Sequence, residues 1–310
     1  MKAWQFTAVG APLSLIERED PTAASNEVVI ETKAAGVCHT DVGYTDGALT
    51  KYLGTIPIVL GHEIAGDIVE IGSDVTGYAI GDRVVVKAGQ LGPGSSSDGG
   101  YSTHVRVAAE WLLPIPDGVS YEQAAVATDA GLTAYHALTI RGHLKRGDKV
   151  GIIGAGGLGH LGIQFAIALG ATVYVAEVNE AAKAASAGYD VTAWGTSILD
   201  FADENLDVII DYAGFGVTTN EAVQAVKFQG RVVLVGIGVT EFTLSSVLVG
   251  KEVDLVGSLN GSREDLAEVL EILARGDVKA RLENISFEEI PAGLERLSNG
   301  QVRGRLVAVI

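Results

Sequence analysis

Cysteine is almost absent from the 310-residue chain, which has only Cys38. A single cysteine excludes a disulfide framework within the chain and a structural zinc ion held by four cysteines. Basic residues are also few: 22 Lys and Arg against 39 Asp and Glu give a net charge of −17, so we expect no nucleic-acid partner. No uninterrupted run reaches about 18 apolar residues, and residues 2–6 lack the apolar core of a signal peptide. We therefore expect a soluble, cytoplasmic protein without a membrane partner.

Proline is scarce, with 7 residues, whereas glycine is abundant, with 40. The few prolines exclude proline-rich low complexity, and the glycines follow no Gly-X-Y period that would indicate collagen. Because 47% of the residues are hydrophobic, intrinsic disorder is also excluded. The abundant glycines and the high hydrophobic content predict a folded protein with many tight turns. The chain length indicates one large domain or two medium ones.

The chain changes character along its length. Short β-rich runs separated by Gly, Pro and Asp fill residues 1–130, which predicts a mostly antiparallel β domain. Apolar strands then alternate with helical patterns, which predicts βαβ units and a parallel sheet over residues 131–265. Residues 266–310 are expected to return to the first domain and to end in a strand over 306–310. The predicted fold class is α/β, with a β-rich domain and a doubly wound parallel-sheet domain.

A glycine-rich motif, Gly154-Ala155-Gly156-Gly157-Leu158-Gly159, follows a predicted strand and opens a predicted helix. In that context G-x-G-x-x-G predicts a dinucleotide site, where glycines permit a tight turn, close approach of the pyrophosphate and close helix packing. Glu177 ends the next predicted strand, and an acid there accepts from the ribose hydroxyls and repels a 2′-phosphate, which favours NAD over NADP. The alternative is a glycine-rich turn without a ligand.

The only cysteine opens Cys38-His39-Thr40-Asp41, and Gly61-His62-Glu63 follows downstream. With Gly66, Gly72 and Val75 the second segment resembles the zinc signature G-H-E-x2-G-x5-G-x2-V of the zinc-dependent alcohol dehydrogenases, in the medium-chain dehydrogenase/reductase superfamily. The resemblance covers the whole chain. It implies a GroES-like catalytic domain over 1–130 and 266–310, and a Rossmann dinucleotide-binding domain over 131–265.

A catalytic zinc ion usually has three protein ligands and one open position. Cys38 offers a thiolate and His62 an imidazole, and the resemblance implies Asp129 as the third ligand, with Glu63 as a neighbouring acid near the metal. Asp41 is a candidate acceptor for the other ring nitrogen of His62. The alternatives are a small core residue for Cys38, a satisfied histidine for His62 and a helix cap for Asp129.

The resemblance also implies roles for residues that touch the substrate or the cofactor. Thr40 would relay the substrate proton, whereas Gly43 stands where some members carry a histidine that ends the relay. The remaining implied cofactor-binding residues are His39, Thr133, Gly154, Gly156, Gly157, Leu158, Gly159, Gly236, Ser258, Leu259 and Arg303.

The resemblance breaks at a lobe that holds a structural zinc ion on four cysteines in many members. Here that region is only the Gly/Ser-rich segment 89–100, so we expect one catalytic zinc ion, no structural zinc ion, and NAD. The sequence predicts hydride transfer between NAD(H) and a small alcohol or its aldehyde or ketone, by a homo-oligomer, either a dimer or a tetramer. The alternatives are a zinc-free quinone or enone reductase of the same superfamily and a non-catalytic nucleotide-binding protein.

Overall fold

The computed structural model of the protein describes residues 1–239 and 241–310, which form sixteen β-strands and nine α-helices. The strands are β1 (Lys2–Phe6), β2 (Ser14–Glu17), β3 (Glu27–Val37), β4 (Ile58–Val59), β5 (Glu63–Ile71), β6 (Arg83–Val86), β7 (His104–Ala108), β8 (Leu112–Pro114), β9 (Lys149–Ile153), β10 (Thr172–Ala176), β11 (Ala193–Gly195), β12 (Val208–Asp211), β13 (Arg231–Leu234), β14 (Asp254–Gly257), β15 (Leu282–Ser286) and β16 (Arg305–Val309). The helices are α1 (His39–Asp46), α2 (Tyr121–Val126), α3 (Leu132–His136), α4 (Gly159–Ala168), α5 (Glu180–Ala185), α6 (Val217–Ala225), α7 (Val247–Gly250), α8 (Arg263–Arg275) and α9 (Ile290–Ser298).

The chain divides into two compact units. The first comprises Met1–Asp129, Leu266–Ala274 and Ala280–Ile310, and the second comprises Ala130–Asp265 and Arg275–Lys279. Among the helices that the structure describes, none is both long enough and apolar enough to cross a lipid bilayer.

The first unit is built around β3, which has partners along both of its edges. The sheet order is β15-β16-β3-β5-β6-β8, and β7 pairs with the first half of β3 on the edge that β16 occupies further along. Strand β16 returns to this unit and runs antiparallel to β3, with Leu306 opposite Val37. A separate three-stranded sheet has the order β2-β1-β4. Cys38 directly follows β3, so the hydrogen bonds on both edges of this strand fix its position.

Alternating apolar residues build the core of the first unit. Val28 and Ile30 of β3 are completely buried and pack with Ile64 and Ile68 of β5. A second cluster joins β1, β4 and β16 to helix α9. Each fully buried aliphatic side chain of this kind contributes about 1.5–3 kcal/mol relative to an exposed one. The segments that carry the candidate site therefore start from rigid strands.

The second unit is a six-stranded parallel sheet in the order β11-β10-β9-β12-β13-β14. Its strands are apolar runs such as Val150 and Ile152 of β9 and Ile209 and Ile210 of β12, which are all buried, as a sheet covered on both faces requires. The strand order reverses between β9 and β12. In open α/β sheets a ligand binds where the order reverses, beyond the carboxyl ends of the strands. Gly154 immediately follows β9 and lies at that point.

Candidate active site

Cys38 lies where β3 ends and α1 begins. Its extended backbone (φ −113°, ψ 152°) puts it at the N-cap position of α1, and it is only 8% exposed. His62 lies between β4 and β5, directly after Gly61, whose φ of 89° belongs to the left-handed region that favours glycine. The sharp turn at Gly61 brings the imidazole of His62, which is buried, to the end of β3.

Asp129 reaches the same place from a different part of the chain. It lies in a π-helical turn, Ala127–Gly131, that follows α2. Such turns are rare and occur frequently at functional sites. The turn directs the carboxylate of Asp129 towards Cys38 and His62.

The three donor atoms converge. Asp129 Oδ2 lies 3.6 Å from Cys38 Sγ and 3.5 Å from His62 Nε2, and all three donor atoms lie within 4.8 Å of one another. Two ligands of a tetrahedral zinc ion are separated by about 3.3–3.8 Å, given zinc–ligand bonds of about 2.0–2.3 Å. The two separations from Asp129 match those of a tetrahedral site, and a donor set of one sulfur, one imidazole nitrogen and one carboxylate oxygen suits a zinc ion with its fourth position open.

The electrostatics of the three groups also fit a bound cation. Burial acts to lower the pKa of His62, but the charge of Asp41 and hydrogen bonds with Asp129, Asp41 and Cys38 raise that pKa well above its usual value. Burial acts to raise the pKa of Asp129, but the hydrogen bond with His62, the charges of His62 and Arg305 and the hydrogen bond with Cys38 together lower it to about 2. The pocket thus stabilises positive charge at its centre, which a metal ion in place of the His62 proton would supply.

Asp41 holds the opposite side of His62. Its Oδ1 lies 3.3 Å from His62 Nδ1 and 3.4 Å from the backbone nitrogen of Gly61, which donates to it. Its Oδ2 accepts from the backbone N–H of Cys38 over 3.3 Å. This carboxylate is completely buried, and it fixes the orientation of the imidazole that would bind the metal.

Glu63 is buried at the start of β5 and pairs with Arg305, the first residue of β16. The guanidinium of Arg305 donates to Glu63 Oε1 over 2.5 Å, and the two side chains are 0% and 5% exposed. Burial raises the pKa of Glu63, although the charge of Arg305 opposes the rise. Sequence reasoning missed Arg305: its only signal was a second arginine, two residues after Arg303, at the start of the final strand.

The two residues after Cys38 differ in their surroundings. Thr40 is half-buried, and its Oγ1 lies 3.6 Å from Cys38 Sγ. The hydroxyl is therefore adjacent to the candidate metal pocket, which is formed by Cys38, His62 and Asp129. His39, the first residue of α1, is exposed. Gly43, where some family members carry a relay histidine, faces Leu49: a Cβ added to Gly43 would lie 2.7 Å from Leu49 Cδ1. The leucine side chain therefore fills the space beside Gly43.

Two glycines of the 154–159 loop are required by the conformation of the turn, whereas a third is not. Gly154 has a φ of 88°, and a Cβ added to Gly159 would lie 1.8 Å from the Gly154 carbonyl oxygen, so both are required by the turn itself. A Cβ added to Gly156 would meet nothing within 4 Å, so the protein alone gives no steric reason for that glycine. Gly157 and Leu158 lead into α4, and the partial positive charge at the start of a helix favours an anion.

Glu177 directly follows β10 and lies at this loop. Its carboxylate accepts from the backbone N–H of Ala155 over 2.6 Å and from that of Asn179 over 2.7 Å. The acid thus stabilises the loop conformation in the free protein, in addition to the ribose contact that the sequence predicts for it.

The remaining residues predicted to bind the cofactor are spread over both units. Within the second unit, Thr133 is buried on α3, Gly236 follows β13, and Ser258 and Leu259 follow β14, with Leu259 68% exposed. Within the first unit, Arg303 is exposed, and its guanidinium donates to the carbonyls of Gly300 and Val302. Arg305 lies beside the candidate metal pocket, through its pair with Glu63, whereas the cofactor contact of Arg303 stays a prediction.

Two family models match the chain: one described as "Alcohol dehydrogenase GroES-like domain", over residues 24–117, and one described as "Zinc-binding dehydrogenase", over residues 157–275. An alcohol dehydrogenase of Geobacillus stearothermophilus is 33% identical to it, over 99% of both chains. The chain belongs to the zinc-dependent alcohol dehydrogenase family. It is an enzyme of the oxidoreductase class, as the sequence predicts.

Solved structures agree with this assignment to the alcohol dehydrogenases. The alcohol dehydrogenase of the hyperthermophilic archaeon Aeropyrum pernix matches with a TM-score of 0.90 and 27% identity, over 100% of both chains. The acetophenone reductase of Geotrichum candidum, solved in complex with NAD, matches with a TM-score of 0.91 and 29% identity, over 100% of this chain and 97% of that one. The predicted fold class, a GroES-like domain with a Rossmann domain, is therefore confirmed.

Proposed function

We propose that this alcohol dehydrogenase transfers hydride between NAD(H) and an alcohol or its aldehyde or ketone, with one catalytic zinc ion per chain. The observation that carries the proposal is the convergence of Cys38, His62 and Asp129 in a pocket that stabilises positive charge. A zinc ion bound there would act as a Lewis acid towards the substrate oxygen.

The protein's own residues have separate tasks in this proposal. Cys38 and Asp129 supply negative charge and His62 a neutral donor, so that the ion keeps one position open for substrate. Asp41 keeps the imidazole in one orientation. The hydroxyl of Thr40, 3.6 Å from Cys38 Sγ, is close enough to the pocket to accept and pass on the substrate proton. Beyond Thr40 the relay lacks a histidine at position 43, and we propose that the proton leaves to water.

NAD rather than NADP is proposed because of Glu177. Its carboxylate is adjacent to the glycine-rich loop, where a negative charge favours ribose hydroxyls and repels a 2′-phosphate. That the related acetophenone reductase was solved with NAD supports this choice. The other cofactor contacts predicted from the sequence, including that of Arg303, the homo-oligomeric state and the cytoplasmic location stay predictions.

A single zinc ion per chain is proposed because segment 89–100 contains no cysteine and Cys38 is the only one in the sequence. Metal analysis of the purified protein tests this directly. About one zinc ion per chain supports the proposal, and two would contradict the absence of a structural site. A metal-free, active reductase would favour the zinc-free quinone or enone reductases of the superfamily, and a metal-free, inactive protein would favour a non-catalytic role.

The substrate is proposed to be an apolar alcohol or ketone. We propose that Thr40, Leu49 and Trp111, all in the first unit, border the substrate, and two of these three side chains are apolar. The decisive measurement is turnover of primary, secondary and aromatic alcohols with NAD, with the corresponding carbonyls and NADH as the reverse reaction. A preference for charged or polyhydroxylated alcohols would contradict the apolar assignment.

A further inference from the structure

Tyr101 is a completely buried tyrosine that the proposed reaction does not use. It comes directly after the Gly/Ser-rich segment 89–100. Three backbone hydrogen bonds fix residues 99–101 against residues 59–61: Gly99 N to Val59 O over 2.8 Å, Gly100 N to Gly61 O over 2.7 Å, and Tyr101 N to Leu60 O over 3.0 Å. The tyrosine is therefore anchored to the residues that precede His62.

The ring of Tyr101 lies against the backbone of Gly61. A Cβ added to Gly61 would lie 2.5 Å from Tyr101 Cδ1, so the ring occupies the space that a side chain at this position would need. The segment before Tyr101 approaches just as closely, because a Cβ added to Gly99 would lie 2.4 Å from Gly61 O. The backbone of Gly61, which determines the position of His62, is thus packed against the Tyr101 ring and against Gly99.

The hydroxyl of Tyr101 donates to Asp41 Oδ2 over 2.8 Å. This is the shortest of the hydrogen bonds described above for Asp41, whose others, to the Cys38 and Gly61 backbone and to His62, measure 3.3–3.4 Å. The carboxylate therefore joins the two segments that carry metal ligands, and the phenol fixes where that carboxylate lies.

We propose that Tyr101 is a positioning residue for the metal centre, acting through Asp41 on His62 and through its ring on the turn at Gly61. The proposal rests on the zinc site of the proposed function. Loss of the hydroxyl leaves Asp41 Oδ2 with only the longer bond from Cys38, so the carboxylate and the imidazole lose part of their orientation. Partners behind a metal ligand typically change metal affinity by about 10–100-fold, and Tyr101 is one step further away, so we expect about 3- to 10-fold.

The test compares Tyr101→Phe, which keeps the ring, with Tyr121→Phe. Tyr121 is a matched control, since its hydroxyl donates to Asp67 Oδ1 in the same unit. The measurements are the rate of zinc release to a chromophoric chelator, the visible absorption of the cobalt(II)-substituted protein, and the thermal unfolding midpoint. We expect about 3- to 10-fold faster zinc release and an altered cobalt spectrum for Tyr101→Phe only.

A purely structural role for the hydroxyl would lower the unfolding midpoint of both variants without changing zinc release, and that result would overturn the proposal. Repeating the substitution in an Asp41→Asn background tests the route: the effect on zinc release should shrink there, and an undiminished effect would show that Tyr101 does not act through Asp41. If the wild-type protein holds no zinc ion, the proposed function fails and this inference with it. Zinc in the wild type with unchanged release from Tyr101→Phe contradicts the inference alone.

Discussion

The proposed metal pocket and the glycine-rich loop would bind a charged group in opposite ways. The pocket collects side chains from three distant segments, at Cys38, His62 and Asp129, and the buried pair of Glu63 and Arg305 lies beside it. The loop uses six consecutive residues, 154–159, and offers backbone N–H groups and the start of α4. The metal pocket depends on side chains that tertiary packing brings together. The loop depends on a backbone conformation that its own short sequence determines.

This difference predicts how each site tolerates substitution. In the pocket, removal of one side chain leaves the charges of the others uncompensated, so single changes should affect metal binding and stability strongly. In the loop, most of the binding groups belong to the backbone and survive side-chain changes, so only an added Cβ should do harm. The following predictions test this contrast, from the largest expected effect to the smallest.

Cys38→Ala should abolish zinc binding in the pocket while leaving dinucleotide binding at the glycine-rich loop intact. Without the thiolate the ion has only His62 and Asp129, so we expect loss of zinc and at least about a 1,000-fold drop in dehydrogenase turnover. Dinucleotide binding, measured by quenching of tryptophan fluorescence, should stay close to wild type. Turnover that survives in this variant would contradict a zinc-dependent mechanism.

Arg305→Met should destabilise the protein because it leaves the buried carboxylate of Glu63 without its guanidinium. We expect the free energy of unfolding in urea to fall by about 3 kcal/mol or more. Arg303→Met is the control, since Arg303 is exposed, and should change it by less than about 0.5 kcal/mol. Adding Glu63→Gln to Arg305→Met should restore stability, and equal losses at both arginines would contradict the buried pair.

Gly159→Ala and Gly156→Ala should differ although they alter the same loop. The first places a Cβ 1.8 Å from the Gly154 carbonyl oxygen, so we expect a loss of about 1–3 kcal/mol or more in stability. The second meets open space in the free protein, so its unfolding midpoint should not fall, while NAD binding weakens because the pyrophosphate approaches the backbone there. Equal unfolding midpoints for the two variants would argue against the turn geometry.

Zinc affinity should fall as the pH falls. The pKa of His62 is raised well above its usual value, so below that pKa the ion must displace a proton, whereas Asp129, with a pKa of about 2, stays ionised throughout. We expect affinity to rise about tenfold per pH unit for as long as the pH lies below the raised pKa of His62. Chelator competition at several pH values measures it, and a flat profile would exclude His62 as a ligand.

Glu177→Ala should weaken NAD several-fold more than NADP, because the repulsion of the 2′-phosphate is lost together with the ribose contact. Since Glu177 also accepts from Ala155 N–H, Glu177→Gln is the matched control: it keeps an acceptor for the loop and removes the charge. An unchanged ratio of NAD to NADP affinity in both variants would refute the specificity argument.

Local patterns in the sequence predicted local structure well. The strand predicted before the glycine-rich motif and the helix predicted after it coincide with β9 and α4, because a short apolar run that ends in glycines leaves few alternatives. Asp129 was found only by resemblance, since its approach to Cys38 and His62 depends on packing across the first unit. Arg303 and Arg305 have similar local sequence, and the pairing of β16 with β3 and β15 decides which of them is buried. No pattern in the sequence predicted that the buried hydroxyl of Tyr101 donates to Asp41.

The division of the first unit into separate stretches of chain has a consequence for synthesis on the ribosome. The second unit is nearly contiguous, whereas the first needs residues 280–310 to supply β16 and Arg305. Domains fold as units during translation, at about 5–20 residues added per second. We therefore expect the nucleotide-binding unit to fold first, although it is made second, and the buried partner of Glu63 to reach its place only when the last strand has emerged.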